Sequence, residues 1–587
     1  MMSSLRWMSA VLSLSMSVFS MAQPPASEAP TKSPAAFTNR TDLVLVPVIV
    51  TDGKGRHVSG LKEGAFSLEE NGKPQTLSVF EEVVSRRIEP GTAAPEMPGF
   101  TNYAAGDTQP RSMTILVLDL LNTPFLDQAE TRSELIKYLS KSLPNDEPIT
   151  VLGIDSQGLR QLHSFTTDTK VLIAALSKVK GKVSLTETND TALDSTTPSA
   201  SLSSLLNPEL EGTVDQFDAF FSEAMTDFAA MDQRDATRRT LAALNQIAQA
   251  YSGIPGRKAV LWATAGFPFM IDDSSAINYM GLEMVKSYQQ TWRALMSANI
   301  AIYPVDVQGA LQRYSNRSFY PFTTANGSSS SRGGPTSASD INQRNLRQWN
   351  RALPYDRHQQ QQSTLLAFAA ATGGTACLNL SDLAKCFENA TVDSSSYYML
   401  GFYLSPDDLK QGWRHLKVQA AASGAHVRAR EGFYVGGPPK DDEQTRRAAL
   451  VAALTSPVEY TGVPMNVQWT GQDLPKTAAK DKTVKMLAAD FSVTLPASLF
   501  SGEGPQSGMM DLLFTAIAFD NKGKSVGEIT REMTGKLKPE SIARIRREGF
   551  NFQSAIDYPE GTKEVRFAIR NNATGQIGTV IAPVISH

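Results

Sequence analysis

Hydrophobic positions fall along this chain in two rhythms. Four stretches are apolar or β-branched at nearly every position: Thr114 to Leu118, Ile149 to Ile154, Ala259 to Thr264, and Ile300 to Val305. Runs of this length and composition predict strands buried on both faces. Helical spacings alternate with them, first at Phe125, Ala129, Leu135, Ile136 and Leu139, then over 171–179, 240–251, 289–297 and 365–371. Strand alternating with helix predicts a parallel-centred sheet covered on both faces. The second rhythm is shorter and half polar. It marks strands at Leu43 to Thr51, Phe66 to Glu70 and Thr76 to Phe80, with turns at Asp52-Gly53 and Asn71-Gly72, and again at Tyr397 to Tyr403, Trp413 to Val418 and Val427 to Arg430. Further such strands follow a boundary at Gly436 to Pro439. These spacings predict small antiparallel sheets, and a β-sandwich at the end of the chain.

One junction stands out. The run Thr114 to Leu118 ends on Asp119-Leu120-Leu121-Asn122-Thr123-Pro124, which leads into the first helical spacing. A buried strand ending on a carboxylate and a small polar cluster places those side chains at the carboxyl edge of the sheet, where α/β proteins carry ligands. Together with Pro255-Gly256-Arg257-Lys258 before one strand and Gly266-Phe267-Pro268 after it, this wording resembles the von Willebrand factor type A domain, in the branch found in secreted bacterial proteins. The resemblance implies an α/β fold class, a Rossmann-like domain with a mostly parallel central sheet, preceded by a small β module and followed by a β-sandwich. The expected units are a signal peptide at 1–22, a flexible leader at 23–40, a β module at 41–85, a linker at 86–111, the α/β domain at 112–436 with insertions at 184–235 and 311–362, and the sandwich at 443–587.

The resemblance also implies a metal-ion-dependent adhesion site, in which carboxylate and hydroxyl oxygens hold Mg2+ or another hard divalent cation and leave one position for a partner's carboxylate. Asp119 matches the first ligand and Thr123 the last hydroxyl, while Leu121 stands where the motif has a serine and Ala265 where it has a later aspartate. Asn122 could lend its amide oxygen. The remaining threonine is Thr186, Thr188, Thr237 or Thr240, and spacing does not choose among them. So poor a ligand set predicts weak cation binding at Asp119, Asn122 and Thr123, or none, with Asp119 instead capping the next helix or accepting loop N–H groups.

Composition narrows the rest. A net charge of -3 over 587 residues gives no basis for nucleic-acid binding. Arg6, the apolar stretch Trp7 to Phe19 and the small residues of Ser20-Met21-Ala22 predict a secretory signal cut after Ala22, hence a secreted or periplasmic protein with no stable membrane span. Its apolar run is short of the ~20 residues that span a bilayer. In that compartment Cys377 and Cys386, the two cysteines of the chain, are expected to form a disulfide. The six histidines form no ligand-spaced cluster, and no phosphate loop, nucleophile elbow or zinc-protease motif is present. His163 reads as structural, Asp393 as part of a turn, and Asp306 as one carboxylate rather than a dyad. A hydrolase is the weaker alternative to a non-enzymatic protein that binds a protein partner. The insertions carry opposite charge: 184–235 holds 11 acidic residues and one basic, 311–362 seven arginines and two aspartates. Both are expected over the carboxyl edge, packed near each other.

Overall fold

The structure, a computed structural model, describes residues 43–84, 98–102, 112–141, 148–181, 232, 234–266, 276–307, 354–378, 383–404, 412–435, 442–471, 474–476, 486–500 and 509–584. The expected signal peptide, the leader and most of both insertions lie outside them, as does the mutual packing expected of the insertions.

Strands β1 (Leu43–Thr51), β2 (Phe66–Glu70), β3 (Lys73–Pro74) and β4 (Val79–Val84) come first, then a two-residue β5 (Phe100–Thr101). Next are β6 (Met113–Asp119), helix α1 (Phe125–Lys141), β7 (Ile149–Asp155), β8 (Gly158–Thr166), α2 (Thr169–Ser177), a helix α3 over 234–250, β9 (Lys258–Thr264), α4 (Ala276–Ser297), β10 (Ile300–Asp306), α5 (Pro354–Thr372) and α6 (Leu383–Ser395). After these the chain returns to β structure in β11 (Ser396–Tyr403), β12 (Gly412–Ala420), β13 (His426–Ala429) and β14 (Gly432–Val435). The last part holds α7 (Glu443–Thr455), β15 (Asn466–Trp469), β16 (Leu474–Lys476), β17 (Met486–Leu495), β18 (Met509–Asp520), β19 (Ser525–Lys536), α8 (Pro539–Glu548), β20 (Phe550–Pro559), β21 (Thr562–Asn571) and β22 (Ile577–Pro583).

This arrangement corrects the expected α/β class. Among the described residues strand outweighs helix, 44% to 31%, and four of the five sheets are antiparallel. The described residues are therefore mostly β and are not organised by a Rossmann-like, mostly parallel central sheet. Parallel pairing is confined to β10-β9-β6-β7 within one five-stranded sheet whose other edge, β8, is antiparallel. The reason lies in strand partners, which a local pattern does not name. β11 to β14, expected to close the α/β domain, pair across the chain with its first strands: Val46 lies opposite Leu400, Ile49 opposite Arg428, and Leu68 opposite Val418. The sheets β13-β1-β11-β4 and β14-β12-β2-β3 enclose a core of Val46, Val48, Leu68, Tyr398, Leu400 and Phe402. The N-terminal module is thus half of a β-sandwich completed some 350 residues later, with the mixed sheet inserted between the halves.

The expected linker 86–111 contributes as well. β5 adds an edge to the sheet of β15, β16 and β17, and Asn102 fixes it there. The Asn102 amide donates to the carbonyls of Tyr460 at 2.7 Å and Val463 at 3.0 Å, and its oxygen accepts from the Met465 N–H at 2.9 Å. That sheet and β19-β18-β21-β22 face each other across Val467, Phe491, Phe514, Phe567 and Val580.

Within the mixed sheet, side chains alternate between two covered faces. Ile115, Val117, Trp262 and Ile302 pack under α3, α4 and α5 with Leu244, Trp292 and Phe368. Leu116, Leu118, Leu261 and Tyr303 pack under α1, α2 and α6 with Leu135, Leu172 and Phe387. Burial on both faces is why β6, β7, β9 and β10 are apolar along their middles, with charged residues only at their ends.

Candidate functional site

β6 delivers Asp119 to the carboxyl edge, one residue past the point where Leu118 pairs with Gly153 on one side and Ala263 on the other. The chain then turns back over the carboxylate before Pro124 opens α1. In that turn the N–H groups of Leu121 and Asn122 both donate to Asp119 Oδ1, at 3.1 and 3.0 Å. The other oxygen takes three side-chain donors. Asn122 Nδ2 reaches Oδ2 at 2.8 Å, the Thr264 hydroxyl at 2.9 Å and the Trp262 indole N–H at 3.3 Å. The carboxylate therefore accepts five hydrogen bonds. Burial pushes its pKa above the usual value, and the donors from Asn122, Thr264 and Leu121 pull the other way without reversing it.

Asn122 ties the turn to the next element. Its Nδ2 also donates to Thr240 Oγ1 at 2.8 Å, while the Thr240 hydroxyl donates to Ala236 O at 3.0 Å along α3. Of the four threonines left open by sequence, Thr240 is joined to the site; Thr237 is buried on α3, and Thr186 and Thr188 lie outside the described residues. Thr123 Oγ1 accepts from the Ala265 N–H at 3.3 Å, so it too faces inward. Asp119, Asn122, Thr123 and Thr240 are all buried. The structure brings Asp119, Asn122, Thr123 and Thr240 together.

Their orientation does not suit a divalent cation. A hard ion needs free oxygen lone pairs converging on one point. Here the atom between Asp119 and Thr240 is the proton-bearing nitrogen of Asn122, three donors already occupy Asp119 Oδ2, and Leu121 and Ala265 offer no side-chain oxygen. The residues expected to ligate a metal, Asp119, Asn122 and Thr123, are joined here in an internal hydrogen-bond hub, in which Asn122 Oδ1 is buried without a hydrogen-bond partner. Asp119 does not cap α1 either; it accepts from its own turn. The opening beside the hub is lined by Leu118, Thr123, Thr131 and Ala263. Arg132 crosses it to the carbonyl of Val179.

Other residues singled out by sequence have structural roles. Arg257, buried before β9, donates to the Gly373 carbonyl at 2.6 Å and to Tyr303 OH at 3.4 Å. The Tyr303 hydroxyl reaches Asp393 Oδ2 at 3.1 Å, and Arg428 grips the same carboxylate. Asp393 is therefore not in a turn: it sits buried in α6 and joins the mixed sheet to the first sandwich. Sequence reasoning missed this network because Arg428 and Asp393 are 35 residues apart with no motif between them. His163 on β8 is bonded to the Ser164 carbonyl, and Asp306 accepts from Gln362 Nε2 at 2.7 Å. Cys377 and Cys386, expected to be bridged, are instead both unbridged, buried thiols in this structure, packed in one core. No helix among the described residues is long and apolar enough to cross a membrane. No protein-family model matches this sequence, and a search of curated proteins returns no significant similarity.

Proposed function

We propose that this is an exported protein that binds another protein through the carboxyl edge of its mixed sheet, without a bridging metal ion and without catalysis. One observation carries the reading: the polar residues gathered at that edge mostly bond one another, with Asn122 Oδ1 buried and left without a partner, so the site supplies rigidity rather than an ion or a reactive group. Five donors hold Asp119, and Asn122 locks the β6 turn to α3. Around this rigid floor the surface is built from loop and helix ends. Phe125 is 43% exposed, and Ser156, Gln157 and Arg238 are exposed as well.

The attachment points of the two charged insertions support the same face. Gly181 lies against the Phe125 ring, Arg239 donates to Ser156 O while paired with Asp235, Val307 follows β10, and Gln361 packs on Gly266. All four lie at the carboxyl edge. Export is supported by the first 22 residues, and a binding role by the likeness of Asp119 to Pro124 and Pro255 to Lys258 to von Willebrand factor type A proteins.

The test is site-specific photo-crosslinking in the full chain, made in the cells that produce it. A crosslinker at Gln157 should trap one discrete protein, equally with and without chelator. The same group at Lys522, in a turn of the C-terminal sandwich, should not. Trapping at Lys522 and none at Gln157 would overturn the assignment of the face, and loss of the Gln157 adduct on chelation would overturn its metal independence.

A further inference from the structure

The outer edge of β10 is where the mixed sheet ends, and a short strap of chain covers it. At the last residue of α5, the Thr372 hydroxyl oxygen accepts from the Ile302 N–H at 2.9 Å. Gly374 then passes so close that a Cβ there would lie 1.9 Å from the Ile302 carbonyl oxygen. Cys377 completes the cover as an isolated parallel bridge to Val305: its N–H donates to Pro304 O at 2.8 Å, and its carbonyl accepts from the Asp306 N–H at 3.1 Å. A single bridging residue holds the far end of this strap. An edge so thinly covered is a liability, because unpaired strand edges recruit other chains.

The thiol of Cys377 points into the core beneath α6, where it meets Cys386. Both residues are at least 95% buried, at 5% and 1% exposed, and both pack in the cluster that includes Val305, Phe387 and Ala390. The two thiols are within hydrogen-bonding reach of each other. Cys386 lies in the first turn of α6, so the pair joins the strap on β10 to the helix that continues into β11 and the first sandwich.

We propose that Cys377 and Cys386 form a disulfide that fastens the edge strap to α6 and so keeps the end of the mixed sheet closed. Two S–H bonds break and one S–S bond forms. Two protons and two electrons pass to a disulfide oxidant, which leaves as two thiols. That oxidant is a thiol–disulfide exchange partner of an oxidising compartment, and in this respect alone the proposal rests on export. The neighbouring Cys386 thiol and burial both hold the Cys377 thiol well above its ordinary pKa.

Refolding the full chain in a glutathione redox buffer tests this without reference to export. Remaining thiols are alkylated in denaturant and the peptides mapped by mass spectrometry. The expected product is one cross-linked peptide pair through Cys377 and Cys386, two hydrogens lighter than the dithiol, with neither thiol alkylated. It should melt several degrees above the reduced protein, and Cys386→Ser should abolish the difference. The same map on chain purified directly from an oxidising compartment needs no refolding and gives a second readout. Alkylation of both cysteines in folded protein from either source, or a bridged form that melts below the dithiol, would overturn the proposal.

Discussion

Asp119 is stabilised from two directions, and what it would leave behind if altered is unpaired donors rather than empty space. In Asp119→Asn one acceptor oxygen becomes an NH2 group, which must face either the two N–H groups of Leu121 and Asn122 or the three donors from Asn122, Thr264 and Trp262. A buried donor without an acceptor costs roughly 1–3 kcal/mol. We therefore expect Asp119→Asn to lower stability by about 2–4 kcal/mol in urea unfolding, well beyond the ~1 kcal/mol of a lost helix cap. A loss under ~1 kcal/mol would contradict the hub. Lys258 offers a second test at this scale. Its ammonium is buried against the carbonyls of Ile254, at 2.6 Å, and Gly256, at 3.0 Å, and burial lowers its pKa from 10.5 to about 7. Between those values the unfolded chain binds more protons than the folded one, so stability rises with pH across the window and is lost as pH falls. The melting temperature of the wild type should climb from pH 7 to pH 10 relative to Lys258→Met; parallel curves would contradict the shift.

Among the elements, what can be read from sequence depends on whether burial is local. β6, β7, β9 and β10 are covered on both faces and announce themselves as apolar runs, so their bounds and the place of Asp119 follow from pattern. β5 has two residues and no periodicity. Its existence depends on Asn102 satisfying three backbone groups of a segment more than 350 residues away, which no local pattern carries. The orientation of the Asn122 amide is equally illegible: its residue type fits a metal ligand, and only the positions of Asp119 and Thr240 turn the nitrogen inward. Removing the Asn102 side chain leaves the carbonyls of Tyr460 and Val463 and the N–H of Met465 without it. Asn102→Ala should cost on the order of 2–3 kcal/mol, because the group is partly buried and makes several bonds. Hydrogen exchange should then quicken at Val467, the partner of Phe100, while the first sandwich stays protected; unchanged exchange there would show that β5 is held by other means.

For the whole molecule, nesting matters more than order along the chain. The first sandwich is closed by strands from both sides of the mixed sheet, and β5 stitches the segment between them to the last sandwich. The helix layer above the mixed sheet also packs on the C-terminal sandwich, with Leu244 and Leu454 in one core with Ile517 and Ala568. Thr461 donates twice to the Ala250 carbonyl at 2.7 Å, through its N–H and its hydroxyl. A sheet edge framed by two sandwiches is a rigid platform, which suits recognition of a partner by shape and charge. The central claim is that this platform works without a cation, and thermal unfolding of the full chain in excess chelator and in millimolar Mg2+ tests it most directly. The account predicts the same melting temperature in both, for the wild type and for Asp119→Ala alike; a several-degree rise with Mg2+ that Asp119→Ala abolishes would contradict it.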